Sequence, residues 1–96
     1  MNSEIIFDKI ESILTHSGFN FHESLSDMTG DETWTRWDDL KKQETIVSVT
    51  IKDEDAGVGN IVVGYYDEDQ NRISDFTITE GTVQENDFAV LTQAVS

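Results

Sequence analysis

From Thr45 to Thr79 the chain passes through three short stretches of strand character separated by polar, acid-rich turns, and this rhythm restricts the fold more than any other feature. Thr45 to Ile51 is the clearest stretch. There Val47, Val49 and Ile51 alternate with Ser48, Thr50 and Lys52, so one side of a pleated strand is apolar and the other polar. Ile61 to Tyr66 is apolar on both sides apart from Gly64, which fits a strand covered on both faces or one whose backbone is closely approached. Ile73 to Thr79 alternates again, pointing Phe76 and Ile78 inward and Asp75, Thr77 and Thr79 outward. Thr33 to Asp39 sets Trp34 and Trp37 among threonines and completes a set of four. Short strands joined by tight polar turns pair antiparallel, because parallel pairing needs a long crossover.

Helical patterns flank these strands. Between Asn2 and Ser17, the residues Ile6, Ile10, Ile13 and Leu14 recur at helical spacing, with Ser3 as the expected N-cap and Gly18 as the stop. At the other end, Thr82-Val83-Gln84-Glu85 matches a capping box, and Phe88, Leu91 and Val95 form the apolar stripe of a second helix. Phe19 to Asp31 carries no clear period beyond the turn signal Thr29-Gly30-Asp31. The expected architecture is α+β in the order α-β-β-β-β-α. It is a four-stranded antiparallel sheet with the N- and C-terminal helices packed on it, in a single domain over residues 1–96.

Charge bears on partners more than on fold. Twenty acidic residues oppose six basic ones, a formal net charge of -14 at pH 7. Such acidity can mean disorder, but 36% of the residues are hydrophobic and they fall in patterned runs, so the chain has a core to bury. The surface repels nucleic acid and anionic membranes and attracts basic protein surfaces across a Debye length. No apolar run is long enough to span a bilayer, no basic leader precedes an apolar one, and there is no cysteine; the expected location is the cytoplasm, without membrane contact.

The acids gather at turns. Ten carboxylates lie from Asp53 onward against Arg72 alone. Asp53-Glu54-Asp55 and Asp67-Glu68-Asp69 fall at opposite ends of the Ile61–Tyr66 strand, on the order of 25–35 Å apart at strand rise. That span matches several phosphates along a duplex, spaced about 3.4 Å on each strand. The candidate partner-binding residues are therefore Asp53, Glu54, Asp55, Asp67, Glu68, Asp69 and Asp75, with Trp34 and Trp37 as aromatic anchors and Tyr65 and Tyr66 beside them. The plainer reading of the acids is solvated turns that aid solubility and discourage edge pairing, and of the aromatics, core residues.

Catalytic and metal chemistry have weaker support. His16 and His22 are the only histidines, and no nucleophile-base order or Gly-rich phosphate loop is present, so the chain reads as a non-enzyme. His16 stands near a helix C-terminus, where a capping role suits it. Asp67, Asp69 and Asn71 share the i, i+2, i+4 spacing that opens a calcium loop. Arg72 then stands where glycine is needed and Ile78 where a bidentate Glu should close the site. A hairpin turn is the better reading, with neither metal nor cofactor expected.

In size, acidity, lack of cysteine and Asp/Glu-rich turns between short strands, the chain resembles small phage or mobile-element proteins that inhibit host defence or DNA-processing enzymes, the anti-CRISPR and DNA-mimic inhibitors. The resemblance implies a non-catalytic inhibitor, monomer or homodimer, that binds a basic nucleic-acid-binding protein such as a CRISPR effector, restriction enzyme or other nuclease, without touching nucleic acid itself. Immunity proteins against basic nuclease toxins share this size and charge. A third class is the acidic adaptor or secretion-type chaperone, usually a homodimer, to whose apolar patch Val90, Leu91 and Val95 would contribute.

Overall fold

A computed structural model describes residues 1–96. The elements run α1 (Ser3–His16), β1 (Asn20–Phe21), α2 (Glu23–Thr29), β2 (Glu32–Asp38), β3 (Gln43–Asp53), β4 (Val58–Asp67), β5 (Arg72–Thr82) and α3 (Glu85–Val95). The strands form one antiparallel meander in the order β1-β2-β3-β4-β5. The sheet thus has five strands where four were expected. The additional one is only two residues long, too short to leave a period in the sequence, and pairs Asn20 with Thr35 and Phe21 with Trp34.

Val47 pairs with Val63 and Val49 with Ile61, so the alternation in β3 continues across β4 as one apolar surface. Onto it pack Ile6, Ile10 and Leu14 of α1 and Phe88, Leu91 and Val95 of α3, all buried with Phe19, Trp34 and Val83 in one cluster. Each fully buried aliphatic contributes about 1.5–3 kcal/mol relative to exposure. Both helix starts lie off their expected caps. Asn2, in extended backbone, accepts the Ile5 amide at 3.1 Å, because Ser3 already belongs to the helix. At α3 the N-cap is Gln84, whose amide donates to Asp87 Oδ2 at 2.7 Å, while Thr82 is still paired in β5. Gly18, with φ of +83°, lets the chain reverse after α1.

In β5 the alternation breaks. Thr79 pairs with Ile61 but Thr77 with Val62, so Ile78 is an inserted bulge residue. As a result Thr79, expected outside, is buried, and its hydroxyl has no hydrogen-bond partner. Ile78 packs against the core as expected. Phe76 lies on the helix side but remains 38% exposed, stacked on Tyr65 at 6.4 Å. β5 skips a further residue, Ile73, between the pairs Tyr65–Ser74 and Tyr66–Arg72. A third bulge sits in β3 between Ile51 and Asp53, beside Gly59, where a Cβ would lie 2.1 Å from the Thr50 carbonyl oxygen.

The opposite face of the sheet carries the shortest full helix, α2. Its start is fixed by His22, whose Nδ1 accepts the Leu25 amide at 3.1 Å, and its Ser26 hydroxyl accepts the Thr33 amide at 3.0 Å. No helix is long and apolar enough to cross a membrane.

Candidate functional site: acidic hairpin ends and an aromatic row

The three hairpins of the β2–β5 meander begin in the same way. Asp38 Oδ1 accepts the amides of Leu40 and Lys41, Asp53 Oδ1 those of Asp55 and Ala56, and Asp67 Oδ1 those of Asp69 and Asn71, all at 2.8–3.1 Å. Each turn then passes through a left-handed residue, Lys42, Gly57 or Gln70. A carboxylate that accepts amides two to four positions on shapes the turn. Asp53 and Asp67 therefore have a structural task first. Glu54, Asp55, Glu68 and Asp69 are exposed, and their carboxylates make neither a hydrogen bond nor an ion pair.

Register sets where these groups lie. Gln43 pairs with Asp67, so the β2–β3 and β4–β5 turns share one end of the sheet and gather Asp39, Glu68 and Asp69 there. The β3–β4 turn with Glu54 and Asp55 is at the other end, where the Ser3 amide donates to the Glu54 carbonyl at 2.8 Å. The two acidic triplets do lie at opposite ends of β4. Asp75 differs from both, being ion-paired to Arg72 at 2.9 Å. Only two further ion pairs form, Lys9 with Glu85 and Lys42 with Asp39. Most of the twenty carboxylates thus have no cation of this chain beside them.

The aromatic residues divide between surface and core. Trp34 is a core residue, 7% exposed, with its indole N–H donating to Glu32 Oε1 at 2.8 Å. Burial pushes the Glu32 carboxyl above its ordinary pKa; the indole hydrogen bond opposes this, and the nearby Glu11 charge adds to it. Tyr65 lies on the helix side with Phe76. Trp37 is 46% exposed on the opposite face.

On that face one row crosses four strands. Trp37 pairs with Glu44, Glu44 with Tyr66, and Tyr66 with Arg72. A half-buried carboxylate therefore stands between two aromatic side chains, and it has no hydrogen-bond or ion-pair partner. The Tyr66 ring lies over Gly64, where a Cβ would come within 3.0 Å of Cε1. Beside the row is a cleft of about 280 Å³ lined by His22, Leu25, Glu44, Ile46, Tyr66 and Gln70. Sequence reading did not single out Glu44 or Ile46. Two members of the row, Trp37 and Tyr66, were legible as candidate anchors, and Gly64 interrupting an apolar strand marked the place where Tyr66 folds back.

Comparison with protein-family models, curated proteins and solved structures finds no match for this chain.

Proposed function

We propose that this protein is a non-catalytic binding domain that docks on the basic, nucleic-acid-binding surface of another protein and blocks it stoichiometrically, as DNA-mimic and anti-CRISPR inhibitors do. The observation that carries this reading is the pair of uncompensated acidic hairpin ends, Glu54 with Asp55 and Glu68 with Asp69, held at opposite ends of one rigid strand. Fixed carboxylates of this kind steer a basic partner into register and take the places of phosphates in its groove. Asp53 and Asp67 contribute charge through the oxygen that their turns leave free. Trp37 is the exposed aromatic anchor of the set.

The test is capture and competition. The immobilised protein is exposed to a lysate of its host at moderate salt, beside a charge-matched acidic control. The expected outcome is specific retention of a nucleic-acid-processing enzyme that duplex DNA or RNA displaces. Retention that nucleic acid does not affect would count against groove occupation.

One feature favours the adaptor reading instead. β5 is an edge strand of 11 residues with Ile73 and Phe76 exposed, a surface on which an extended client could add a strand. Recovery of unfolded clients in the same capture would support it.

A further inference from the structure

We infer that the row Trp37–Glu44–Tyr66, with the cleft beside it, receives an arginine side chain from a basic protein partner. The inference rests on the proposed docking to a basic surface and locates the contact that would give it specificity.

The occupant follows from the chemistry of the lining. Glu44 is half-buried on a central strand and has no partner within the chain, so bringing a cation to it compensates a charge already partly removed from water. Its strand neighbours on either side are Trp37 and Tyr66, whose ring faces attract cations. The Tyr66 ring reaches back over Gly64, which holds it in place at the edge of the cleft that it lines with Glu44. Ile46 and Leu25 provide apolar surface for an aliphatic stem. A planar guanidinium can lie on an aromatic ring while donating two hydrogen bonds to a carboxylate; a lysine ammonium can do only one of these well. The net charge of -14 makes a second copy of this chain a poor occupant. It also draws cationic segments to this face before any contact forms.

The hairpin carboxylates and this row are different devices. Glu54, Asp55, Glu68 and Asp69 are exposed and screened by salt, so they act mainly on encounter rate. Glu44 is half-buried, with Trp37 and Tyr66 as its register neighbours, and acts on the lifetime of the complex.

The experiment titrates the full chain with an eight-residue Arg-Gly repeat peptide and with its Lys-Gly counterpart, at about 0.15 M NaCl. Binding is followed by calorimetry and by tryptophan fluorescence. Wild type, Glu44→Gln, Tyr66→Leu and the double variant Glu68→Gln/Asp69→Asn are compared, with thermal melts to confirm that each folds. The Arg peptide should bind several-fold tighter than the Lys peptide. Glu44→Gln should weaken it by about tenfold and Tyr66→Leu by a similar factor, the loss expected for one ion pair or one cation–π contact. The hairpin variant should weaken both peptides equally and only modestly. Equal affinity for the two peptides, or a Glu44→Gln effect no larger than that of the hairpin variant, would overturn the inference. Should Tyr66→Leu not fold, Tyr66→Phe gives the check: it keeps the ring and should leave Arg affinity within about twofold. The same variants separate the two readings in the capture assay. If Glu44→Gln still captures a nucleic-acid-displaceable partner as well as wild type, the arginine site fails and the functional reading stands. If the Arg peptide binds through Glu44 but no captured protein is displaced by nucleic acid, the functional reading fails and the site stands.

Discussion

The Arg36 guanidinium donates a 2.6 Å hydrogen bond to the backbone carbonyl of Val95, the last residue of α3. The same nitrogen donates to the Ser17 carbonyl at 2.8 Å, just past α1, and the guanidinium lies 4.5 Å from the centre of the Phe19 ring. One of the six basic residues of this acidic chain is thus spent on the negative ends of two helices, away from any carboxylate. It ties both helices to β2, and α3 has no basic residue of its own in its last turn. Replacing Arg36 with Met should therefore cost about 2–3 kcal/mol. A fall in the urea midpoint at constant slope would register this, and a change under about 0.5 kcal/mol would show that the tie contributes little.

Glycine supplies a second constraint in β4. A Cβ on Gly59 would sit 2.1 Å from the Thr50 carbonyl oxygen, a backbone atom that can move only if the β3 bulge moves. Gly59→Ala should cost about 2 kcal/mol or more through forced displacement. Gly30→Ala is the informative comparison, since Gly30 has φ of +77° but nothing within 4 Å of its Cβ position. There the cost should be about 1 kcal/mol, the backbone penalty alone. Thermal melts of the two variants should rank in that order.

Burial along β5 gives two opposite predictions on either side of the bulge at Ile78. Thr79 is 6% exposed with an unpartnered hydroxyl, so Thr79→Val removes a buried polar atom while keeping the shape and should stabilise by up to about 1 kcal/mol. Phe76, expected in the core, is 38% exposed; Phe76→Ala should cost about 1 kcal/mol, well short of the roughly 2–5 kcal/mol for Leu91→Ala at a fully buried site. In denaturation of the three variants, a destabilised Thr79→Val would argue against the bulge at Ile78, and a Phe76→Ala cost equal to that of Leu91→Ala would argue against the partial exposure of Phe76.

That bulge also marks where sequence reading stops. Strict alternation in Thr45–Ile51 and the i, i+3, i+7 stripe of α3 transfer directly to structure, because each follows from backbone geometry that neighbours do not alter. One inserted residue at Ile78 reverses every facing after it, and nothing local in Asp75–Thr79 announces the insertion. The candidate site was legible in the same uneven way. Acidic turns are visible in sequence, and so is their separation by one strand. Their division of labour is not, since Asp67 and Glu68 look alike until the amides of Asp69 and Asn71 are seen on one of them. The Trp37–Glu44–Tyr66 row requires the register of three strands, which no single stretch of sequence contains.

For the hairpin end, neutralisation with retained turn geometry is the discriminating change. Asp67→Asn keeps the acceptor oxygen for the two amides, and Glu68→Gln with Asp69→Asn removes charge that no cation offsets. The triple variant should fold as stably as wild type or slightly better, because self-repulsion falls. Its affinity for a captured basic partner should drop and depend less steeply on salt. An unaltered salt dependence would place this hairpin outside the interface.

The Glu32 carboxyl should leave a signature in the pH dependence of stability. Its pKa is raised in the fold, by burial first and by the Glu11 charge as well, against the lowering effect of the Trp34 indole. The folded state consequently holds this proton more tightly than the unfolded chain. The group favours folding most below its unfolded pKa, and that contribution is lost as pH rises through the raised folded value. Glu32→Gln keeps an acceptor for the indole and has no charge to bury. At pH 7 the variant should therefore melt above wild type, and the gap should close as pH falls below about 4, where Glu is protonated in both states. Because every other carboxylate is common to the two proteins, the difference between their melting curves isolates this one. A gap that stays constant from pH 7 to pH 3.5 would show that Glu32 is not the residue carrying the buried charge.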